Sequence, residues 1–140
     1  MSQENVEIVR RIYEGWAKGD FRAGLAYLDP HVTLVVRPDF PEFGVFLGAQ
    51  GIETLMRRFL EHWEQLTIEA TELRAAGDTV LARVVQHGKG MASGIEGDIR
   101  YFQLLTFRGG KIVRMESVMH EAEALEAGSI PPRPLLRPGR

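Results

Sequence analysis

Cysteine is absent from this 140-residue chain. That excludes disulfide staples, thiolate nucleophiles and sulfur-ligated metal sites, and it fits a reducing compartment. An excess of one charge is missing as well: the formal net charge is -2 at pH 7 and the pI is near 6.1. Nothing draws such a surface to phosphate backbones or anionic lipid, so neither nucleic acid nor a membrane is expected as a partner. No apolar run approaches the ~20 residues of a spanning helix. The polar, acidic start from Met1 to Glu7 lacks the basic region and apolar run of a signal peptide. A cytoplasmic location is the simplest expectation.

What is present has the balance of an ordinary globular protein, with 44% hydrophobic and 26% charged residues. A chain of this length can bury roughly 70% of its unfolded surface as one domain. Val6, Val9, Tyr13 and Trp16, widened by Ile8 and Ile12, recur at helical spacing and predict a helix over 2–18. Ser2 offers the N-cap and Gly19 the stop. Asp20 can cap a short second helix carrying Leu25 and Leu28, ended by Asp29 and Pro30.

The β-branched segment 31–37 reads as a strand closed by Pro38. The aromatic stretch with Phe40, Pro41, Phe43 and Phe46 is too apolar for a solvated connector and reads as a loop packed over something. A third helix is expected beyond Gly48–Gly51, with Ile52, Leu55, Met56, Phe59, Leu60 and Trp63 on its apolar face. Strands follow at about 66–76, 79–89, 97–108 and 111–120. Gly77-Asp78 and Gly109-Gly110 are tight hairpin signals that make their flanking strands antiparallel. The domain is assigned to 1–128. Residues 129–140, with four prolines and three arginines, read as a tail, either disordered or an arm docked on a partner subunit.

Tyr13, Gly19-Asp20, Leu28, the Phe40 to Phe43 loop, Gly48, Phe59, Trp63, Gly90, Ser93-Gly94, Gly109-Gly110-Lys111-Ile112 and Glu123-Ala124-Leu125-Glu126 together resemble SnoaL-like proteins of the nuclear transport factor 2-like superfamily, over about residues 4–128. The resemblance implies an α+β, cone-shaped (cystatin-like) fold: a curved antiparallel sheet wrapped around three helices, with a pocket at the open end. Its relatives include polyketide cyclases, ketosteroid isomerases, dehydratases, epoxide hydrolases and non-catalytic binders, many pairing through the sheet as homodimers. Phe102, Leu104 and Thr106 alternate with Tyr101, Gln103 and Leu105, so one face can line a pocket and the other meet a second subunit.

Proton transfer in an apolar pocket needs a carboxylate or imidazole with a pKa moved toward neutrality, and a donor for the developing enolate. The isomerases are similar in using a tyrosine on the first helix, an aspartate at the end of the first strand and an acid on a later strand. Tyr13 is one residue out of that register, Arg37-Pro38 stands where the base would fall, and Gln103 is near the later acid. Gln103 can donate a hydrogen bond but cannot transfer a proton. Asp39 is a candidate base or a turn residue. His87 is a candidate imidazole if it, and not Gln86, points inward.

The catalytic candidates are therefore Asp39, His87 and Tyr13. Trp16, Phe40, Phe43, Phe59, Trp63, Tyr101, Gln103, Met115 and Met119 are the candidates for substrate contact. No metal motif spacing is present and no cofactor is expected. Two functions remain. One is a cofactor-free isomerase, cyclase or lyase acting on a hydrophobic carbonyl-bearing substrate by proton transfer; the other is a non-catalytic ligand-binding or interaction module. They part on whether an ionisable group such as Asp39 or His87 lies inside the pocket.

Overall fold

A computed structural model of the chain describes residues 2–40 and 43–131. Helix α1 (Ser2–Ala17) buries Val9, Ile12, Tyr13 and Trp16 along one stripe. It stops where Gly19 takes φ 89° and donates to the Trp16 carbonyl, a conformation that costs glycine little. A Cβ at Gly15 would lie 2.5 Å from the Ala23 Cβ, so the following segment folds back tightly on α1. That segment, expected as a second helix, makes only a 3-10 turn at Leu25–Tyr27. It is too short to repay nucleation, and by Leu28 the backbone is extended.

Six strands form one open sheet: β1 (Leu28–Val36), β2 (Gly44–Leu47), β3 (Trp63–Ala76), β4 (Thr79–Gly90), β5 (Glu96–Arg108) and β6 (Lys111–Val118), in the order β2-β1-β6-β5-β4-β3. The sheet is mixed, which corrects the expectation of an antiparallel one: β1 pairs β6 in parallel, because these neighbours are joined by the long crossover of everything between them. The hairpins fall at the two expected turns, and Gly109 and Gly110 both carry positive φ, as a tight two-residue connection requires. Part of the expected aromatic loop is strand, since Val45 pairs with Val35 and Leu47 with Thr33. Helix α2 (Gly48–Leu60) ends before Trp63, which opens β3. Register shifts leave extra residues in β1, β3 and β6, the pattern of β-bulges, which favour bending.

The period-two pleat sorts the side chains into two layers. Val32 and Leu34 of β1, Ile68 of β3, Val80, Ala82 and Val84 of β4, Leu105 and Phe107 of β5, and Met115 of β6 form the main core with α1 and Ile52 of α2. A smaller core on the opposite face holds Leu81, Phe102, Leu104 and Val118 under Ala124 and Ile130. Ala124 belongs to helix α3 (Glu121–Ala127), the third helix of the fold. It lies on the far side of the sheet from α1 and α2, so the three helices do not share one face. Phe102 and Leu104, expected to meet a second subunit, are covered by the chain's own α3 and Ile130. The packed domain thus extends to Ile130, and the Pro131 carbonyl accepts from the Arg74 guanidinium at 2.6 Å. The rest of the expected tail, 132–140, and Pro41 lie outside the described residues.

Candidate functional site

Between α2 and the inner face of the sheet the core is incomplete, leaving a cavity of about 380 Å³. Its walls follow from strand parity and one helical stripe. Leu34 and Val36 come from β1, Met115 and Ser117 from β6, Ile99, Tyr101 and Gln103 from β5, Gln86 from β4 and Ile68 from β3. Ile52, Leu55, Met56 and Phe59 project from α2, at spacings of three and four. Trp16 comes from the end of α1, Phe40 from the β1–β2 connection, and His62 and Trp63 from the α2–β3 junction. Ring contacts order the walls: Phe40 meets Tyr101 edge to face at 5.4 Å, and Phe59 meets Trp63 at 5.8 Å. A Cβ at Gly88 would lie 2.4 Å from the Trp63 ring, so glycine lets that indole lie against the β4 backbone.

The amide, hydroxyl and phenol groups of the wall are neutral and hydrogen-bonded. The buried Tyr13 hydroxyl donates to Gln103 Oε1 at 2.6 Å, and Gln103 Nε2 donates to Ser117 Oγ at 3.5 Å. The Tyr101 hydroxyl donates to Gln86 Oε1, also at 3.5 Å. Burial raises the pKa of Tyr13, helped by the neighbouring Tyr101, and burial likewise raises Tyr101. Both phenols therefore stay protonated near neutral pH and act only as hydrogen-bonding groups. Among the described residues, no Asp, Glu, Lys or Arg lines the cavity. Among the described lining residues the imidazole is that of His62, which is solvent-exposed.

A model of the SnoaL-like domain matches residues 9–115, from the middle of α1 to the middle of β6. The chain belongs to the SnoaL-like family. Among solved structures, this SnoaL-like chain is similar to a nuclear transport factor 2-like protein from Burkholderia thailandensis, with a TM-score of 0.75 and 25% identity over 91% of this chain and 98% of that one. It is also similar to a SnoaL-like polyketide cyclase from Jannaschia, with a TM-score of 0.71 and 20% identity over 94% and 95% of the two chains. A protein of ketosteroid isomerase-like fold from Catenulispora acidiphila gives a TM-score of 0.70 and 20% identity over 89% and 94%. These likenesses carry the fold. No curated protein matches the sequence.

The site residues expected from sequence divide sharply. Trp16, Phe40, Phe59, Trp63, Tyr101, Gln103 and Met115 all line the cavity. Tyr13 stands behind Gln103 and reaches the cavity only through it. Phe43, 61% exposed, and Met119, beyond the end of β6, are not in the wall.

The two candidate bases are corrected. Gln86 points in, so the pleat turns His87 outward, where it is exposed and bonded to Asp98. Asp39 follows Pro38 in an exposed turn, 3.7 Å from His120 Nε2. With Glu123 these two bring possible metal-ligand atoms within 4.8 Å of one another. The Arg37 guanidinium already lies 3.6 Å from Glu123 and 2.5 Å from Glu116, supplying positive charge there. The expected third helix ran on to Trp63, which would leave His62 within it. Its place at the cavity depends on α2 ending at Leu60, which no capping signal marked.

Proposed function

We propose that this SnoaL-like chain holds an uncharged, largely apolar cyclic small molecule bearing a carbonyl or similar acceptor oxygen. The observation that carries the proposal is the cavity itself. Its size falls within the range of about 300–1,000 Å³ common for small-molecule sites. Its walls are aliphatic and aromatic, and its polar side chains, apart from the exposed His62, are neutral amides, a hydroxyl, a phenol and two indoles. A carboxylate, phosphate or ammonium placed there would lose its hydration without gaining a fixed counter-charge. A neutral ring would gain from burial, at about 25 cal/mol per Å² of apolar surface.

A catalytic version of this proposal rests on His62. With Asp39 and His87 outside the cavity, it is the imidazole among the described lining residues, and an imidazole can take up and return a proton. Titrating the intrinsic tryptophan fluorescence with tetralone, a bicyclic ketone, tests binding. Saturable quenching is expected, and it should disappear in Met56→Trp, which fills the cavity. Absence of saturable binding for tetralone and for a panel of larger neutral cyclic ketones would sink the proposal. Incubation in D2O then separates catalyst from binder: deuterium entering the ketone α-carbon, and lost in His62→Ala, supports proton transfer. Bound ketone without exchange leaves the binding module.

A further inference from the structure

Trp16 Nε1 and Trp63 Nε1 are the two buried side-chain polar atoms without a hydrogen-bond partner among the described residues. Both indoles line the same cavity, yet they reach it from different elements, the end of α1 and the start of β3. Folded proteins rarely leave such donors unmatched, because an unpaired buried N–H forfeits its hydration for nothing. Neither nitrogen is open to water, so solvent does not make good the loss.

None of the other polar side chains of the wall bonds either nitrogen, and each is already directed to a neighbour. Gln103 Oε1 accepts from Tyr13, Gln103 Nε2 is directed to Ser117, and Gln86 Oε1 accepts from Tyr101. An indole N–H is a donor only, so its complement must be an acceptor. The χ2 torsion of tryptophan is broad, and a cavity beside the ring leaves room for it to turn its N–H toward an acceptor placed there. At Trp63 the close backbone contact with Gly88 is made by the six-membered ring, on the opposite edge from Nε1, so that contact does not occupy the N–H.

We infer that the indole N–H groups of Trp16 and Trp63 are specificity determinants of the cavity, each donating to an acceptor oxygen of the bound molecule. The inference rests on the proposed function and sharpens it. The ligand is a ring system with two acceptor oxygens, and its hydrocarbon counterpart fits the same space but leaves both donors unmatched.

The test compares menadione, which carries two ring carbonyls, with methylnaphthalene, which has the same carbon frame and none. The absence of cysteine removes the thiols that menadione would alkylate. Binding is measured by tryptophan fluorescence. The two indole N–H resonances of the 15N-labelled protein are followed by NMR, and are assigned by difference with Trp63→Phe. Menadione is expected to bind at least about tenfold more tightly, with both indole protons moving downfield in its complex alone. If the two compounds bind equally well and neither indole proton moves downfield, the donors have no role in recognition, although the cavity still takes the ring. If neither compound binds while tetralone or another ketone of the panel does, this inference fails and the proposed function stands; if none of them binds, both fail.

Discussion

The two faces of β5 carry residues of similar character and meet opposite fates. On one face Tyr101 and Gln103 border unfilled space, while Phe102 and Leu104 on the other are sealed under α3 and Ile130. Polar chemistry divides along the same line. The inner face uses neutral groups bonded to one another, whereas the outer face carries ions: Arg83 with Glu121 and Glu72, Arg37 with Glu116, His87 with Asp98. Charges persist where water or a counter-ion can reach them, and a closed apolar space favours groups that need neither. The cavity lies on the face that α1 and α2 cover, where their side chains leave space against the sheet, and its walls are mostly apolar.

The strongest way to break this comparison is Phe102→Asp. Phe102 is 8% exposed and stacks under the Arg83 guanidinium, so a carboxylate there loses core packing and much of its hydration. A loss of about 3–5 kcal/mol is expected in chemical denaturation. The same change at Ile99, 37% exposed at the cavity rim, should cost less than about 1 kcal/mol. A dissociated but equally stable Phe102→Asp monomer would instead place Phe102 at an interface between subunits.

A smaller effect sharpens the inner side. Tyr13→Phe and Gln103→Leu each strand one partner of a buried hydrogen bond, at roughly 1–3 kcal/mol. The double variant should recover most of the sum, and a double-mutant cycle with no coupling would show that the pair is not formed in solution.

The smallest effect concerns the outer ions. The hydrogen bond to Asp98 raises the His87 pKa above its ordinary 6.5 against a desolvation cost, and the charges of Asp98 and Glu96 add further attraction. In Asp98→Asn the pKa, followed through the imidazole C–H protons by NMR, should fall toward that ordinary value. Ligand affinity should be indifferent to this titration, because His87 faces away from the cavity. An inflection in affinity at the His87 pKa would join the two faces.

Much of the wall was legible in the sequence. Helical spacing put Trp16 and Phe59 on apolar stripes and strand alternation put Tyr101 with Gln103, because periodicities of 3.6 and 2 are set by backbone geometry alone, while Met115 joined them through the family resemblance. The choice between Gln86 and His87 was not legible. Parity says that one of the two points inward, but the side of the sheet on which α1 and α2 settle decides which. Asp39 stayed open between base and turn residue for a related reason: chain position places it near the end of β1, while the turn after Pro38 sets its direction. Helix α3 was missed because seven residues, Glu121–Ala127, give too short a period to recognise, and its stability comes from Ala124 and Ile130 packing on Leu104 and Phe102.

The sequence by itself determined the α+β class, the two tight hairpins, the apolar stripes and the lack of sulfur chemistry, since composition, turn residues and periodicity act within a few neighbours along the chain. Only the tertiary structure decided that β1 and β6 run parallel, that α3 covers the outer face, that both candidate bases stand in solvent and that two indole donors border one cavity. Those facts depend on which layers pack against which, a choice made by contacts between residues far apart in the chain.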